Sequence, residues 1–400
     1  GSSTDFGSSC KQTEMKVCLC FVLTVTGCSA TYTGKSKPHI LYILADDFGW
    51  SNADWHHNEP RNESATPFLS SLVREGVELD RMYSFKFCSP SRSAIQSGRN
   101  PIHVNVQNLD PTSVNKDDPV SGYAGIPRDM TGMGTLMRRA GYATHFVGKW
   151  DAGMATPDHT PRGRGYDTSL LYFHHLNDFW DERFYDTSAS KGLSECRGYA
   201  GYSVWRPVDL WHGNPNEEGP ARGLNNSLSK CVTATPEFCF PTKNSIAVAA
   251  RECPAHPPEN PMKDSGGNDL HESYSAECQY EDALFESEVH RRITNHDASQ
   301  PLFLFWALHA VHAPLQVPKR FLDMYRHLAL DDWRRQRYLA MTRFMDSAIF
   351  NVTSLLKAKG MFDDTLIVFT SDNGGPIYRN GSAAASNWPL KGGKASNWEG

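Results

Sequence analysis

The chain has 400 residues, of which 39% are hydrophobic and 21% charged, with a formal net charge of −5. That length exceeds a typical single domain but suits a large α/β domain, and the composition is that of an ordinary globular protein. With no Lys/Arg run or basic stripe, a nucleic-acid-binding surface is excluded.

Residues 1–14 precede a candidate start at Met15 and read as upstream sequence. Met15-Lys16, the apolar run 17–23 and the small residues Cys28-Ser29-Ala30 describe a secretory signal peptide over 15–30. Its apolar run is too short to span a bilayer, so no membrane span is expected. The expected location is the secretory pathway, ending in the extracellular space or the lysosome. Of ten cysteines, Cys10, Cys18, Cys20 and Cys28 lie in or before this signal. Cys196, Cys231, Cys239, Cys253 and Cys278 form a cluster expected to hold two disulfides in an oxidising compartment, with connectivity open and one cysteine left over. Acceptor sequons at Asn62, Asn225, Asn351 and Asn380 fit a glycoprotein.

The apolar run 39–45 predicts a buried parallel strand. Thr66-Pro67 predicts a helix start with Thr66 as N-cap, ending at Gly76, and 77–82 reads as a strand. A helix over 134–139 stops at Gly141 and feeds a strand over 142–147. Residues 301–307 form another buried strand. Tyr338, Met341, Met345, Ile349, Val352 and Leu356 fall at helical spacing as a core stripe, before a strand over 366–370. Strands alternating with helices predict a layered α/β domain with a largely parallel sheet. Residues 188–280 break this rhythm, being rich in Gly, Pro, Asn and Ser, and read as a disulfide-stapled insertion. The chain stops at Gly400 without linker or terminal signal, so a truncated C-terminal subdomain is expected.

Cys88 opens the run Cys88-Ser89-Pro90-Ser91-Arg92, with a helix stop at Gly98. It therefore sits near a helix N-terminus, where an oxyanion is stabilised, and Arg92 is four residues on along the same face. Asp46-Asp47 end the first strand and Asp372-Asn373 a later one, at the strand ends where α/β folds place their sites. Successive strand residues point to opposite faces, so both aspartates converge only if the chain turns, which Phe48-Gly49 permits. Four oxygen ligands without His or Cys select a hard cation, Ca²⁺ or Mg²⁺. Lys149 follows a strand, His312 follows the strand at 301–307, and Lys394 lies in Lys391-Gly392-Gly393-Lys394.

The C-x-P-S-R run, with its following small-Gly-basic triplet, resembles the signature of type I sulfatases. The Val311-His312-x-Pro314-Leu315-Gln316 run is similar to the arylsulfatase B-like subgroup. The resemblance spans 38–400 apart from the insertion. It implies an alkaline-phosphatase-like fold and hydrolysis of aryl or carbohydrate sulfate esters through a covalent sulfate intermediate. It also implies one Ca²⁺ and a formylglycine made from Cys88 by a formylglycine-generating enzyme. The metal ligands it implies are Asp46, Asp47, Asp372, Asn373 and the modified Cys88. Arg92 would polarise the formylglycine, Lys149 and Lys394 would hold the sulfate, and His312 would protonate the leaving alcohol. One departure is clear. Where the family has Gly-Lys-Trp-His, this chain has Asp151 after Trp150, so Asp151, or nearby His159, would take over as base. Two rivals are a phosphomonoester or diester hydrolase on the same scaffold and an inactive glycan-binding homologue. Cys88 argues against the first, Arg92 and the metal ligands against the second.

Overall fold

The computed structural model describes residues 37–57, 65–111, 113–115, 117–118, 122–177, 209–221, 280–328, 333–377 and 384–400, with Glu63 and Phe179. The expected signal segment, the five clustered cysteines, Asn62, Asn225 and Asn380 lie outside these residues. The elements run β1 (His39–Ala45), α1 (Pro67–Glu75), α2 (Cys88–Ser97), α3 (Met133–Arg139), β2 (Ala143–Lys149) and β3 (Thr168–Tyr172). They continue with β4 (Trp211–Gly213), β5 (Glu218–Pro220), α4 (Glu281–Asn295), β6 (Leu302–Ala307), α5 (Lys319–Asp323), α6 (Trp333–Ala358) and β7 (Thr365–Ser371). No helix among the described residues is long and apolar enough to cross a membrane.

The sheet has seven strands in the order β5-β4-β3-β2-β6-β1-β7. From β3 to β7 every pairing is parallel, while β4 and β5 extend the β3 edge antiparallel. Both of these short strands come from within 188–280, so that insertion contributes to the sheet itself. The continuous apolar runs follow from burial on both faces. Along β6, Leu302, Leu304 and Trp306 join one cluster, with Leu41 and Ile43 of β1, Phe285 and Val289 of α4, and the whole 338–356 stripe of α6. Phe303, Phe305 and Ala307 join the opposite cluster with Phe146, Trp150 and Tyr166, against which Met133 and Met137 of α3 pack. Each such fully buried side chain contributes roughly 1.5–3 kcal/mol.

Two local expectations are corrected. Thr66 does not cap α1 with its side chain; its Oγ1 accepts from the Asp54 backbone N–H at 2.9 Å. The free N–H groups of Phe68 and Leu69 donate instead to the Asp346 carboxylate of α6, at 3.3 and 2.8 Å. Residues 77–82 are irregular rather than a strand, with Val77, Leu79 and Met82 exposed. The apolar alternation there meets no sheet edge.

Gly148 fixes how β2 ends. Its φ is 104°, and a Cβ there would stand 1.8 Å from the Ala307 carbonyl oxygen of β6. Gly148→Ala is expected to destabilise the fold by about 3 kcal/mol or more, combining backbone strain with a clash that forces neighbouring central strands apart. Denaturant unfolding of the purified variant checks this; an unchanged midpoint would contradict it.

Candidate active site

The carboxyl ends of β1, β2, β6 and β7 meet around Cys88. β1 runs into Asp46, whose backbone is pinned to the loop after β6: Asp46 N–H donates to the Ala310 carbonyl at 3.1 Å and Val311 N–H donates to the Asp46 carbonyl at 2.8 Å. The turn that brings the neighbouring aspartate to the same side is made by Asp47 itself, at φ 61°, not by Gly49, whose φ is −82°. Tyr338 of α6 holds this left-handed residue, its hydroxyl donating to the Asp47 carbonyl at 2.9 Å. After β7, Asp372 Oδ1 accepts from Asp47 N–H at 3.2 Å, and Asn373 Nδ2 donates to Asp47 Oδ1 at 2.7 Å.

Cys88 is the first residue of α2, which ends at Gly98 with φ 67°. The Cys88 thiol is buried and points to Asp46 Oδ1 at 3.7 Å. Burial raises its pKa far above the usual thiol value, and the nearby Asp46 and Asp372 add to this against Lys149 and Lys394. Arg92 is buried among the carboxylates around position 88. Its Nε donates to Asp372 Oδ2 at 3.0 Å, Nη1 to the Lys149 carbonyl at 2.8 Å, and Nη2 lies 3.5 Å from Asp46 Oδ2. It ties three elements together, through two carboxylates and one backbone carbonyl.

The two lysines flank the same cluster. Lys149 Nζ is 2.6 Å from Asp46 Oδ2, and Lys394 Nζ is 2.6 Å from Asp47 Oδ1. Burial alone would lower both lysine pKa values, but the aspartates outweigh it and hold both ammoniums charged. His312 Nδ1 meets the Ala313 carbonyl at 2.5 Å, while Nε2 lies 3.5 Å from Asp47 Oδ2. Burial, then Lys394 and Lys149, push the imidazole well below its ordinary pKa, so it is neutral here.

A group of side chains here could hold a metal ion. Asp46, Asp47, Cys88 and His312 each offer an atom within a 4.8 Å cluster. The Oδ1 of buried Asn373 has no hydrogen-bond partner, as a carbonyl oxygen kept for a cation would. Asp372 is pushed up to about 6, by burial first and by Asp46 next, the cost of gathering like charges. Asp46, Asp47, Asp372 and Asn373 together are the residues that would hold the ion.

Asp151 and His159 have different surroundings. Asp151 is buried at φ 46°, with Lys149 Nζ 3.8 Å from its Oδ2. His159 faces elsewhere. Its Nδ1 meets Thr156 Oγ1 at 2.8 Å, its carbonyl accepts from Trp150 Nε1 at 2.9 Å, and its ring packs on Tyr123. Sequence reasoning missed His175, whose Nδ1 is 2.9 Å from both Asp151 oxygens. It also missed Asp282 and His309 behind the 308–312 loop. Asp282 accepts from the His309 and Ala310 N–H groups at 3.0 and 2.7 Å, which holds the loop that pins Asp46. The one signal for His175 was the His174-His175 pair directly after an apolar run.

A family model of sulfatases matches residues 38–400. Arylsulfatase J of Mus musculus is 30% identical over 374 residues, covering 92% of this chain and 47% of that protein. N-acetylgalactosamine-6-sulfatase of Mus musculus is 27% identical over 383 residues, covering 96% of this chain and 59% of that one. The chain thus spans about half the length of the curated relatives it matches. Among solved structures, Ps i-CgsB in complex with k-i-k-neocarrahexaose aligns at a TM-score of 0.61 with 23% identity, over 91% of this chain and 64% of its own. PsFucS1 sulfatase from Pseudoalteromonas sp. aligns at 0.58 with 22% identity, over 91% and 60%. These likenesses show the fold, the alkaline-phosphatase-like α/β layering expected from the sequence.

Proposed function

The chain belongs to the sulfatase family, and from that premise we propose that it hydrolyses aryl or carbohydrate sulfate esters to an alcohol and inorganic sulfate. The observation that carries this reading is the placement of Cys88 at a helix start, 3.7 Å from Asp46 and among three carboxylates and two lysines. The name N-acetylgalactosamine-6-sulfatase among the relatives supports a carbohydrate sulfate as substrate.

Asp46, Asp47, Asp372 and Asn373 would hold a calcium ion, which would supply polarising charge, and a formylglycine made from Cys88 would supply the attacking oxygen. Lys149 and Lys394, both held charged, neutralise the sulfate oxygens where charge develops. Arg92, bound to Asp372 and Asp46, holds them in place and helps to polarise the group at 88. His312, with Lys394 beside it, protonates the departing alcohol as general acid; burial first and then Lys394 and Lys149 lower its pKa, and an incoming sulfate anion offsets the two cations. Asp151 accepts the proton when sulfate is released. Maturation requires a formylglycine-generating enzyme, and the route is secretory, a reading that rests on 15–30 and on the clustered cysteines.

An aryl sulfate and the matching aryl phosphate, offered to protein matured with the modifying enzyme, test the reading. Hydrolysis of the sulfate, lost on chelation and restored by calcium, is expected. Preference for the phosphate would support the phosphoesterase rival, and binding of sulfated glycan without turnover the inactive one.

A further inference from the structure

Asp151 stands where the family resemblance expects a histidine, and its surroundings explain how a carboxylate can serve there. β2 and β3 are parallel, with Lys149 beside Tyr172. The chain leaving β3 therefore carries His174 and His175 to the same end of the sheet as Lys149 and Asp151. His174 is taken by Asp209, 2.7 Å from its Nδ1. His175 goes to Asp151, its Nδ1 at 2.9 Å from both carboxylate oxygens. A continuous path of contacts results. It runs from His175 to Asp151, across 3.8 Å to Lys149, and across 2.6 Å to Asp46, the carboxylate beside Cys88.

Among the described residues, the Nδ1–H of His175 is the one hydrogen-bond donor to Asp151, and Nε2 of His175 is buried without a partner. A carboxylate this deeply buried would be driven toward its neutral form, which cannot accept a proton. Burial does raise its pKa, but His175 and then Lys149 reverse the effect and bring it below the ordinary carboxylate value.

We propose that His175 is a positioning residue for the sulfatase reaction, its Nδ1–H fixing the Asp151 carboxylate beside Lys149, on the path of contacts that leads to position 88. The proposal rests on the function proposed above. In the step served, the free hydroxyl of the sulfated diol at 88 loses its proton to Asp151. The O–H electron pair becomes the C=O bond of the aldehyde, and the C–O bond to sulfate breaks, its pair leaving with sulfate. His175 neither gains nor loses a proton.

The test uses matured protein and an aryl sulfate under rapid quench, with intact-protein mass as a second readout. His175→Ala removes the donor, whereas His175→Asn places an amide N–H where Nδ1 was. The alanine variant should release one equivalent of alcohol in a burst and then turn over about 10²-fold more slowly, the scale of general base catalysis. Its mass should show one sulfate retained at residue 88, as in Asp151→Asn. His175→Asn should recover most of the steady rate and lose the retained sulfate. Three results would overturn the proposal alone. They are wild-type turnover in His175→Ala, burst and steady rate falling together, or an asparagine variant as slow as alanine, which would make the imidazole itself the proton acceptor. Absence of sulfate hydrolysis in the wild-type protein would instead remove the function on which the proposal rests.

Discussion

Cys88→Ser is expected to lower sulfate ester turnover by on the order of 10⁵-fold or more, the scale on which loss of a nucleophile falls. The reason lies in the state of the cysteine. Burial and the neighbouring aspartates hold its thiol neutral, and a neutral thiol is a poor nucleophile. In the proposed reaction activity comes instead from the formylglycine expected at 88, which serine would not become by the same enzyme. Serine is close to cysteine in size and can donate to Asp46 as the thiol does, so the fold should be untouched. Unchanged thermal unfolding together with lost turnover is the predicted pair of results. Retained turnover would mean that position 88 is not the nucleophile.

The second large effect concerns the cation. Asp46→Asn and Asp372→Asn should each weaken metal retention by more than about 10²-fold, beyond the loss seen for residues that only orient ligands. Turnover should fall in parallel. The two variants differ in a second way. Asp372 carries the directed hydrogen bond from Arg92 Nε, so its loss leaves a buried guanidinium short of its main partner, at a cost of about 3–5 kcal/mol. Asp46 faces Lys149 more closely than Arg92, so its loss strands the ammonium instead. Calorimetric titration of chelated protein with calcium separates affinity from stability, and undiminished calcium binding in either variant would contradict the ligand assignment.

What the sequence made legible follows from how local each signal is. The strands at 39–45 and 301–307 carry their own evidence, since a strand buried on both faces is apolar at every position, and 366–370 has the same apolar run although β7 is a half-buried edge strand. The α6 stripe is equally local, and all six of its residues are buried. The same logic failed at 77–82, where an apolar run had no edge to pair with. Strands β4 and β5 were missed because three residues between turns carry no period. At the site, the strand-end acids and the Cys88 run could be placed from sequence alone. The geometry that joins them could not, because the turn is made by an aspartate at positive φ rather than by the adjacent glycine. His175 was invisible for a related reason. It meets Asp151 only through the register that sets Lys149 beside Tyr172, and no spacing in the chain reveals a register.

The most direct test of the account is the mass of the peptide that contains residue 88, taken from protein made together with a formylglycine-generating enzyme. The account predicts replacement of the cysteine sulfur and two hydrogens by one oxygen, in a fraction of molecules that rises with specific activity toward a sulfate ester. A fully alkylatable thiol at Cys88 in active protein would contradict it.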